Sequence, residues 1–566
     1  MRGICSLLLS LLITRGALAS GNLSIPLESD AEAKISIRSC FRNLPPSGYA
    51  PISVNIDNDS DRPQSWHFEF NSGGQGYYQV GSMMFAIDLA VQSKSSRTFK
   101  LSVPLASIGD SYFYPLRVSV SGPWANEKSY HGFAPENPSG KPTPAFVAMS
   151  NAMVSNQWSV LEKEMDGRNL DLLGTSFDPN DLSDDWRTLV GLAGLWITDN
   201  EFKSLSTGQR SAILEWVHRG GALFVTGASD LDSQFRLTGV GTAMIFPNVV
   251  LDIQETASII QALHGDNSND QLSHQFAGSW HAADTVGSIH LNAYLLIGIM
   301  ALFGVVAGPI NLFKFAGPTR RHRLFWTTPL ISIATTILLI VLILFKDGLG
   351  GSGLRTALVY VSESEKRNVV LQEQIARTGV LLGSTFTTRD PSFITSITLN
   401  APASGINNST RRHYEIAGTR FSGDWFVSRS VQGHWVESGA PTREGIAFAD
   451  PANKREGNAA PVIVSSIGGV LEELYFRDPN GDLWHAHNVS TGQRVTMESA
   501  KDLPELLPAR VGPRIRMLWN RVIDRKGYFF ATGKTSGSLI DTLPTIRWDD
   551  DRVLYTGPLS PLTPES

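Results

Sequence analysis

Four residues stand where a parallel α/β sheet does its chemistry. Asp199 and Asn200 follow the apolar run Leu195-Trp-Ile-Thr198, and Thr226 and Ser229 follow Ala222-Leu-Phe-Val225. Ligands of open α/β sheets lie outside the carboxyl ends of the strands, which makes these four the candidate ligand-binding residues. They are equally ordinary caps and turn residues. A Thr or Ser hydroxyl becomes a nucleophile only beside a base, and the sequence identifies no base partner for Thr226 or Ser229. No catalytic residue is assigned.

Metal and phosphate motifs fail on spacing. His264, His274, His281 and His290 with Asp266, Asp270 and Asp284 offer transition-metal donors, but steps of 10, 7 and 9 match no ligand pair on a helix or strand. His485 and His487 share one face of a strand without a third ligand. Asp478-Pro-Asn-Gly-Asp482 alternates like a calcium loop, yet Val489 stands where an EF-hand needs its twelfth-position Glu. It reads as a hairpin turn. Gly533-Lys534-Thr535 resembles the end of a phosphate loop, but Tyr528 occupies the slot of the first glycine. No metal and no cofactor is expected.

The elements that position the four candidates lie in residues 144–265. Ala145–Met149, Leu170–Leu173, Leu195–Thr198 and Ala222–Val225 read as strands, with a helix near Asn156–Met165. Ser206-Thr-Gly-Gln209 matches a capping box, and Ile213, Leu214 and Val217 form the apolar face of the helix it opens. That helix stops at Arg219-Gly220-Gly221, where glycine supplies a left-handed cap. Strands alternating with helices predict right-handed crossovers and a parallel sheet.

The stretch LAGLWITDNEFKSLSTGQRSAILEWVHRGGALFVTGAS resembles the class I glutamine-amidotransferase-like domains of bacterial membrane proteins. The resemblance implies a Cys in the turn after such a strand, with His and Glu later in the chain. A Cys works there because a neighbouring His and a helix N-terminus favour its thiolate. Here the turn is Val225-Thr226-Gly227-Ala228-Ser229, without Cys. The resemblance therefore implies the fold and a catalytically silent domain.

Two apolar runs of 23 and 22 residues, Leu291–Phe313 and Leu324–Phe345, carry no charge and are long enough to cross a bilayer. Residues 314–323 join them and hold Lys314, Arg320, Arg321 and Arg323 with no acid. Short loops rich in Lys and Arg stay in the cytoplasm. The flanking residues 20–290 and 346–566 are thus expected outside the inner membrane of a bacterial cell. Pro309 is expected to kink the first span, and Gly304-Val-Val-Ala-Gly308 has the spacing of a close helix contact. Residues 1–19 read as a signal peptide, with Arg2, an apolar Ile4–Ile13 and Ala17-Leu-Ala19.

The rest is strand-rich. Residues 20–143 alternate apolar and polar positions in runs such as Lys34–Arg38 and Ile52–Ile56, which predicts an immunoglobulin-like β-sandwich. Residues 266–290 read as a polar linker, and 346–566 as a second β-rich region. Loss of Arg2 and Arg15 with the signal takes the 48 basic residues to 46 against 53 acidic ones. A net charge near −7 argues against nucleic acid as a partner. Cys5 leaves with the signal and Cys40 stays alone, so no intramolecular disulfide forms.

The expected class is a multidomain α/β plus all-β membrane protein. Its expected role is a non-enzymatic scaffold or ligand-sensing accessory protein of a bacterial envelope complex, with an envelope or transporter protein as partner. The alternative is a hydrolase or transferase using Ser or Thr in the α/β domain. A transporter acting alone is disfavoured, since two spans without an intramembrane charge offer no substrate path.

Overall fold

The computed structural model describes residues 21–45, 48–73, 82–105, 116–133, 146–167, 173–228, 239–264, 275–276, 280–286, 293–315, 321–362, 366–399, 413–449, 460–534, 537 and 539–561. The signal-peptide reading lies outside them. The chain is multidomain and rich in sheet, with two apolar helices.

Strict alternation builds the N-terminal layers. Ala33–Ser39 buries every second residue and pairs antiparallel with Tyr49–Asn58 in a sheet that also holds Asn22–Ile25 and Ser95–Pro104. A second sheet holds Ser82–Val91, Gln64–Gly73, Leu116–Gly122 and Ala125–Phe133. Ile37, Val54, Ile56, Trp66, Phe68 and Val120 make the core they share. The second sheet does not end with this region: His413–Ala417 adds in parallel to the edge at Ser82–Met84, followed by Arg420–Gly423 and Phe386–Thr387. Pairing of an edge strand with a distant segment removes an open template for aggregation.

The α/β region comprises β1 (Phe146–Ser150), α1 (Asn151–Gly167), β2 (Leu173–Phe177) and β3 (Gly194–Thr198), then α2 (Asp199–Ser204) and α3 (Thr207–His218). β4 (Ala222–Thr226), β5 (Thr242–Phe246) and α4 (Ile253–His264) complete it. All five strands are parallel, in the order β2-β1-β3-β4-β5. α1 and α4 cover one face through Met153, Leu161, Ile259 and Leu263. α2 and α3 cover the other through Phe202, Ile213, Trp216 and Val217. Strands buried on both faces read as continuous apolar runs, as β3 and β4 do. The capping box at Ser206 and Gln209 is formed, and Gly220 takes φ +112° after the Arg219 C-cap.

The linker is not a free tether throughout. Gln275–Phe276 forms a short strand, β6, and His281–Val286 forms α5, with Trp280 buried and its Nε1 donating to the Arg510 carbonyl. A large apolar ring buried against the second region outweighs the polarity of its neighbours.

The C-terminal region is organised on a ten-stranded sheet. In chain order its members are β6, β7 (Gly351–Ser362), β8 (Arg367–Thr378), β9 (Phe393–Leu399) and β10 (Val431–Pro441). β11 (Val470–Arg477), β12 (Leu483–Ser490), β13 (Glu498–Ala500), β14 (Tyr528–Gly533) and β15 (Ile546–Pro558) follow. The spatial order is β6-β9-β10-β8-β7-β15-β14-β11-β12-β13. The Asp478 turn joins β11 to β12, its Oδ1 accepting from the backbone N–H groups of Asn480, Gly481 and Asp482.

The apolar spans are helical and uncovered. α6 (Ala293–Val305) continues as π-helix through Val306–Phe315, and α7 runs from Leu324 to Asp347. Proline lacks the N–H of the α ladder and crowds the carbonyl four residues back. Around Pro309 the helix widens into π turns, which relieve that crowding. Phe325 and Trp326 are 83% and 82% exposed, and both helices are long and apolar enough to cross a membrane. Asn311 is buried against α7 and its amide donates to Thr328 Oγ1 at 3.0 Å.

The large regions touch directly. Arg42 N donates to the Ser176 carbonyl and the rings of Phe41 and Phe177 meet edge to face, tying the sandwich to β2. Cys40 is buried at that seam, and burial pushes its thiol up to about 12, so it stays protonated and inert. Helix α8 (Pro513–Val522) lies between the ten-stranded sheet and the α/β region, with Ile515, Leu518 and Trp519 in one continuous core.

Candidate functional site

β1 and β3 are neighbours whose connections leave in opposite directions, β1 through α1 and β3 through α2 and α3. The carboxyl ends of two such strands form the crevice in which open α/β sheets bind ligands. Ser150, Thr198 and Glu201 line it here, with Thr226 one strand away.

Their polar atoms are turned on one another. Glu201 Oε2 accepts from Ser150 Oγ at 2.7 Å, Thr198 Oγ1 at 2.7 Å and Thr198 N at 3.1 Å. Thr198 Oγ1 in turn accepts from Glu201 N, completing a capping box at the start of α2. This carboxylate locks the ends of β1 and β3 together. The signal for it is local: Thr198-Asp-Asn-Glu201 fits the capping-box pattern.

The three candidates among the described residues do not converge. Asp199 pairs with Lys203 at 2.6 Å and Asn200 points to solvent. Thr226 is fully buried, its hydroxyl 3.3 Å from Met153 Sδ. Ser229 lies outside the described residues. Gly227, at φ +79°, and Ala228 both donate their N–H to the Phe246 carbonyl, at 2.7 and 3.2 Å. A nucleophile turn needs unpaired N–H groups aimed at a developing oxyanion, and among the described residues of this turn β5 has taken those of Gly227 and Ala228. His218, at the far end of α3, packs its ring against Tyr360.

Of the basic loop, Lys314 lies in the last turn of the π-helix, Arg321 and Arg323 lie exposed in a turn before α7, and Arg320 is outside the described residues. His485 and His487 are 4.9 Å apart, His487 paired with Glu473 at 2.8 Å. Among the described residues no three His, Cys, Asp or Glu side chains gather to hold a metal.

A groove of about 580 Å³ opens elsewhere, between β8, the end of β10, the segment 387–392 and residues 537 and 539–541. Its volume is that of a small-molecule site. Its walls are hydroxyls and charges, among them Thr387, Arg389, Asp390, Ser438 and Asp541. Thr388 and Ser392 both donate to the Asp390 carbonyl, which fixes that wall. Arg355 Nη1 holds Asp541 at 2.8 Å on the other side. Nothing in the sequence foretold this groove, because segments from residue 368 to residue 541 line it and only the sheet order brings them together.

No protein-family model matches the chain, and no curated protein matches it. Among solved structures it is similar to a β-glucuronidase of glycoside hydrolase family 2, at 6% identity and TM-score 0.14 over 44% of this chain and 23% of that one. It is similar to a GH20 exo-β-N-acetylglucosaminidase from Vibrio harveyi at 11% identity and TM-score 0.10, over 33% of this chain and 36% of that one. With a calcium-binding mutant of Bacteroides uniformis β-glucuronidase 2 it shares 8% identity at TM-score 0.17, over 81% of this chain and 60% of that one. The chain spans less than two thirds of the length of each of the three. Likeness at these TM-scores carries no inference about activity.

Proposed function

We propose that this chain is a membrane-anchored, non-enzymatic accessory protein of a bacterial envelope complex, serving as scaffold or ligand sensor. In this reading the N-terminal layers are an immunoglobulin-like sandwich and the α/β region is a silent relative of the amidotransferase-like domains. The spans α6 and α7 anchor it in the inner membrane, and Lys314, Arg320, Arg321 and Arg323 hold the turn in the cytoplasm. Both large regions then face outward.

The observation that carries the reading is the closed hydrogen bonding at the carboxyl ends of β3 and β4. Glu201 is spent on Ser150 and Thr198, and the N–H groups after Thr226 on Phe246. The polar groove beside β8 gives a sensor somewhere to bind a small hydrophilic ligand. Its hydroxyl-rich walls suit a ligand that is itself rich in hydrogen-bonding groups.

The test is a pull-down of tagged full-length protein in mild detergent, with the co-purifying chains identified and weighed. A stoichiometric envelope or transporter protein is the expected result. Recovery of the chain alone, at the mass of one or two copies, removes the accessory role. A hydrolase is checked separately with serine-directed probes. No labelling is expected, whereas labelling that disappears in Thr226→Ala or Ser229→Ala would replace this reading with the enzymatic one.

A further inference from the structure

Among the described residues no large apolar side chain is more exposed than Leu382, at 89%, ahead even of Phe325 and Trp326 on α7. Outside the two apolar helices only one other described leucine is exposed, Leu349 at 64%. Isolated apolar side chains on a surface need no explanation. These two are not scattered, because both stand where α7 ends.

The backbone holds them there. α7 closes on Gly348, whose N–H donates to the Leu344 carbonyl, and Gly348 and Gly350 take φ +75° and +81° to turn the chain into β7. At that end of the β7–β8 hairpin Gly351 faces Thr378, and the chain leaving β8 comes back onto the helix exit. Val380 N donates to the Gly348 carbonyl at 3.0 Å, Gly350 N to the Val380 carbonyl at 3.0 Å and Gly379 N to the Gly350 carbonyl at 2.7 Å. Leu349 and Val380 thus form a parallel bridge. Beyond it Leu381 N donates to Ser428 Oγ at 3.0 Å, and Ser384 Oγ to the Gly423 carbonyl at 2.9 Å. Leu382 and Gly383 form the tip between those two ties, and a Cβ on Gly383 would meet nothing within 4 Å. The segment 379–385 carries no charge. A tip pinned on both sides is ordered before it touches anything, which lowers the entropic cost of contact.

We propose that Leu382, with Leu349, inserts into the outer leaflet where headgroups meet acyl chains, giving the C-terminal sheet a second foothold on the membrane beside α7. The inference rests on the membrane-anchored reading of α6 and α7. The 24 residues of α7 make a helix of about 36 Å, longer than a bilayer core of about 30 Å, so its outer end stands among the headgroups. Leu382 is two residues past the Val380 bridge, within about 7 Å of it along the chain. Two leucines fall short of the roughly 800 Å² per partner that a stable protein interface buries. A leaflet needs no such area, since the spans already hold the chain against it. The foothold stops the sheet from swinging about the Gly348–Gly350 joint.

The experiment uses the full-length protein in lipid nanodiscs, with an environment-sensitive fluorophore on a thiol introduced by Leu382→Cys. Cys5→Ser leaves Cys40 as the other thiol, which is buried and unreactive. Leu338→Cys within α7 and Asn480→Cys at the far end of the sheet serve as references. Lipids brominated near the headgroup should quench the probe at 382 more than lipids brominated at the chain ends, and should leave the probe at 480 unchanged. A probe at 338 quenched while the one at 382 behaves like the one at 480 would overturn the foothold and leave the anchoring intact. No quenching at 338 would remove the anchoring itself, and the foothold with it. A photoactivatable phospholipid applied to the native protein gives a readout free of any variant. Adducts within residues 379–385 are expected, and adducts confined to the spans would count against the proposal.

Discussion

Arg514→Met is expected to lower the unfolding free energy by about 3–5 kcal/mol, the cost of stripping the partner from a buried charge. Arg514 Nη2 reaches Glu437 Oε1 at 2.9 Å, and the two residues are 9% and 1% exposed. The guanidinium also lies 4.1 Å over the Trp435 ring, whose Nε1–H donates to the same carboxylate oxygen. Removing the arginine leaves Glu437 to be neutralised by a proton or to keep an unpaired charge in an apolar seam. Arg514→Met with Glu437→Gln removes the charge and keeps an acceptor for Trp435. The double variant should recover at least half of the loss. Chemical unfolding of the full-length protein in detergent, followed by tryptophan fluorescence, reads both. A single variant within about 1 kcal/mol of the parent would mean that Glu437 is not held as a charge, and the ion pair would lose its place in the fold.

What the sequence disclosed and what it hid divide along the distance between partners. β3, β4 and α3 were legible because their signals are local: apolar runs, a capping box at Ser206 and Gln209, glycines at 220 and 221. The two helices long and apolar enough to cross a membrane were legible from length and absence of charge alone. That His413–Ala417 completes the edge at Ser82–Met84 is a pairing across more than three hundred residues. No period in a sequence encodes such a neighbour. The hydrogen bonding at the candidate site was hidden for a related reason. Asp199 and Asn200 stand at a strand end, yet the residue committed there is Glu201, because its side chain can reach back to both Thr198 and Ser150. In the middle of β8, Gln372, Glu373 and Gln374 are three successive polar residues, and all three are buried. Gln372 exchanges hydrogen bonds with the backbone of Ile540, and Gln374 donates to Thr542 Oγ1. Glu373, on the opposite face, is answered by a helix.

That arrangement makes the fold's stability depend on pH in an inverted sense for a carboxylate. Glu373 is 1% exposed, and burial pushes it from its ordinary 4.5 up to about 7, against the opposing pull of the Ile515 and Gly512 N–H groups and of Arg514 and Arg516. Its oxygens accept from Gly512 N at 2.8 Å and Ile515 N at 3.2 Å, the open N–H groups at the start of α8. Since the folded chain holds this proton more tightly than the unfolded one, the contribution to stability is complete below about 4.5 and is lost as the pH rises through about 7. A displacement of that size corresponds to about 3 kcal/mol. Glu373→Gln should flatten the slope between pH 5 and about 7.5 while costing about 1–3 kcal/mol at the acid end, where an amide N–H replaces one acceptor. The difference between parent and variant isolates Glu373 from every histidine that titrates in the same window. Equal slopes in the two proteins would show that Glu373 is ionised throughout, with the N-terminus of α8 and the two arginines outweighing burial. α8 carries Arg521 and stands just before Arg525, which grip the carbonyls of Gly220 and Gly241 in the α/β region. A proton on Glu373 is therefore felt first at the seam between the two regions, where limited proteolysis should follow the same pH profile.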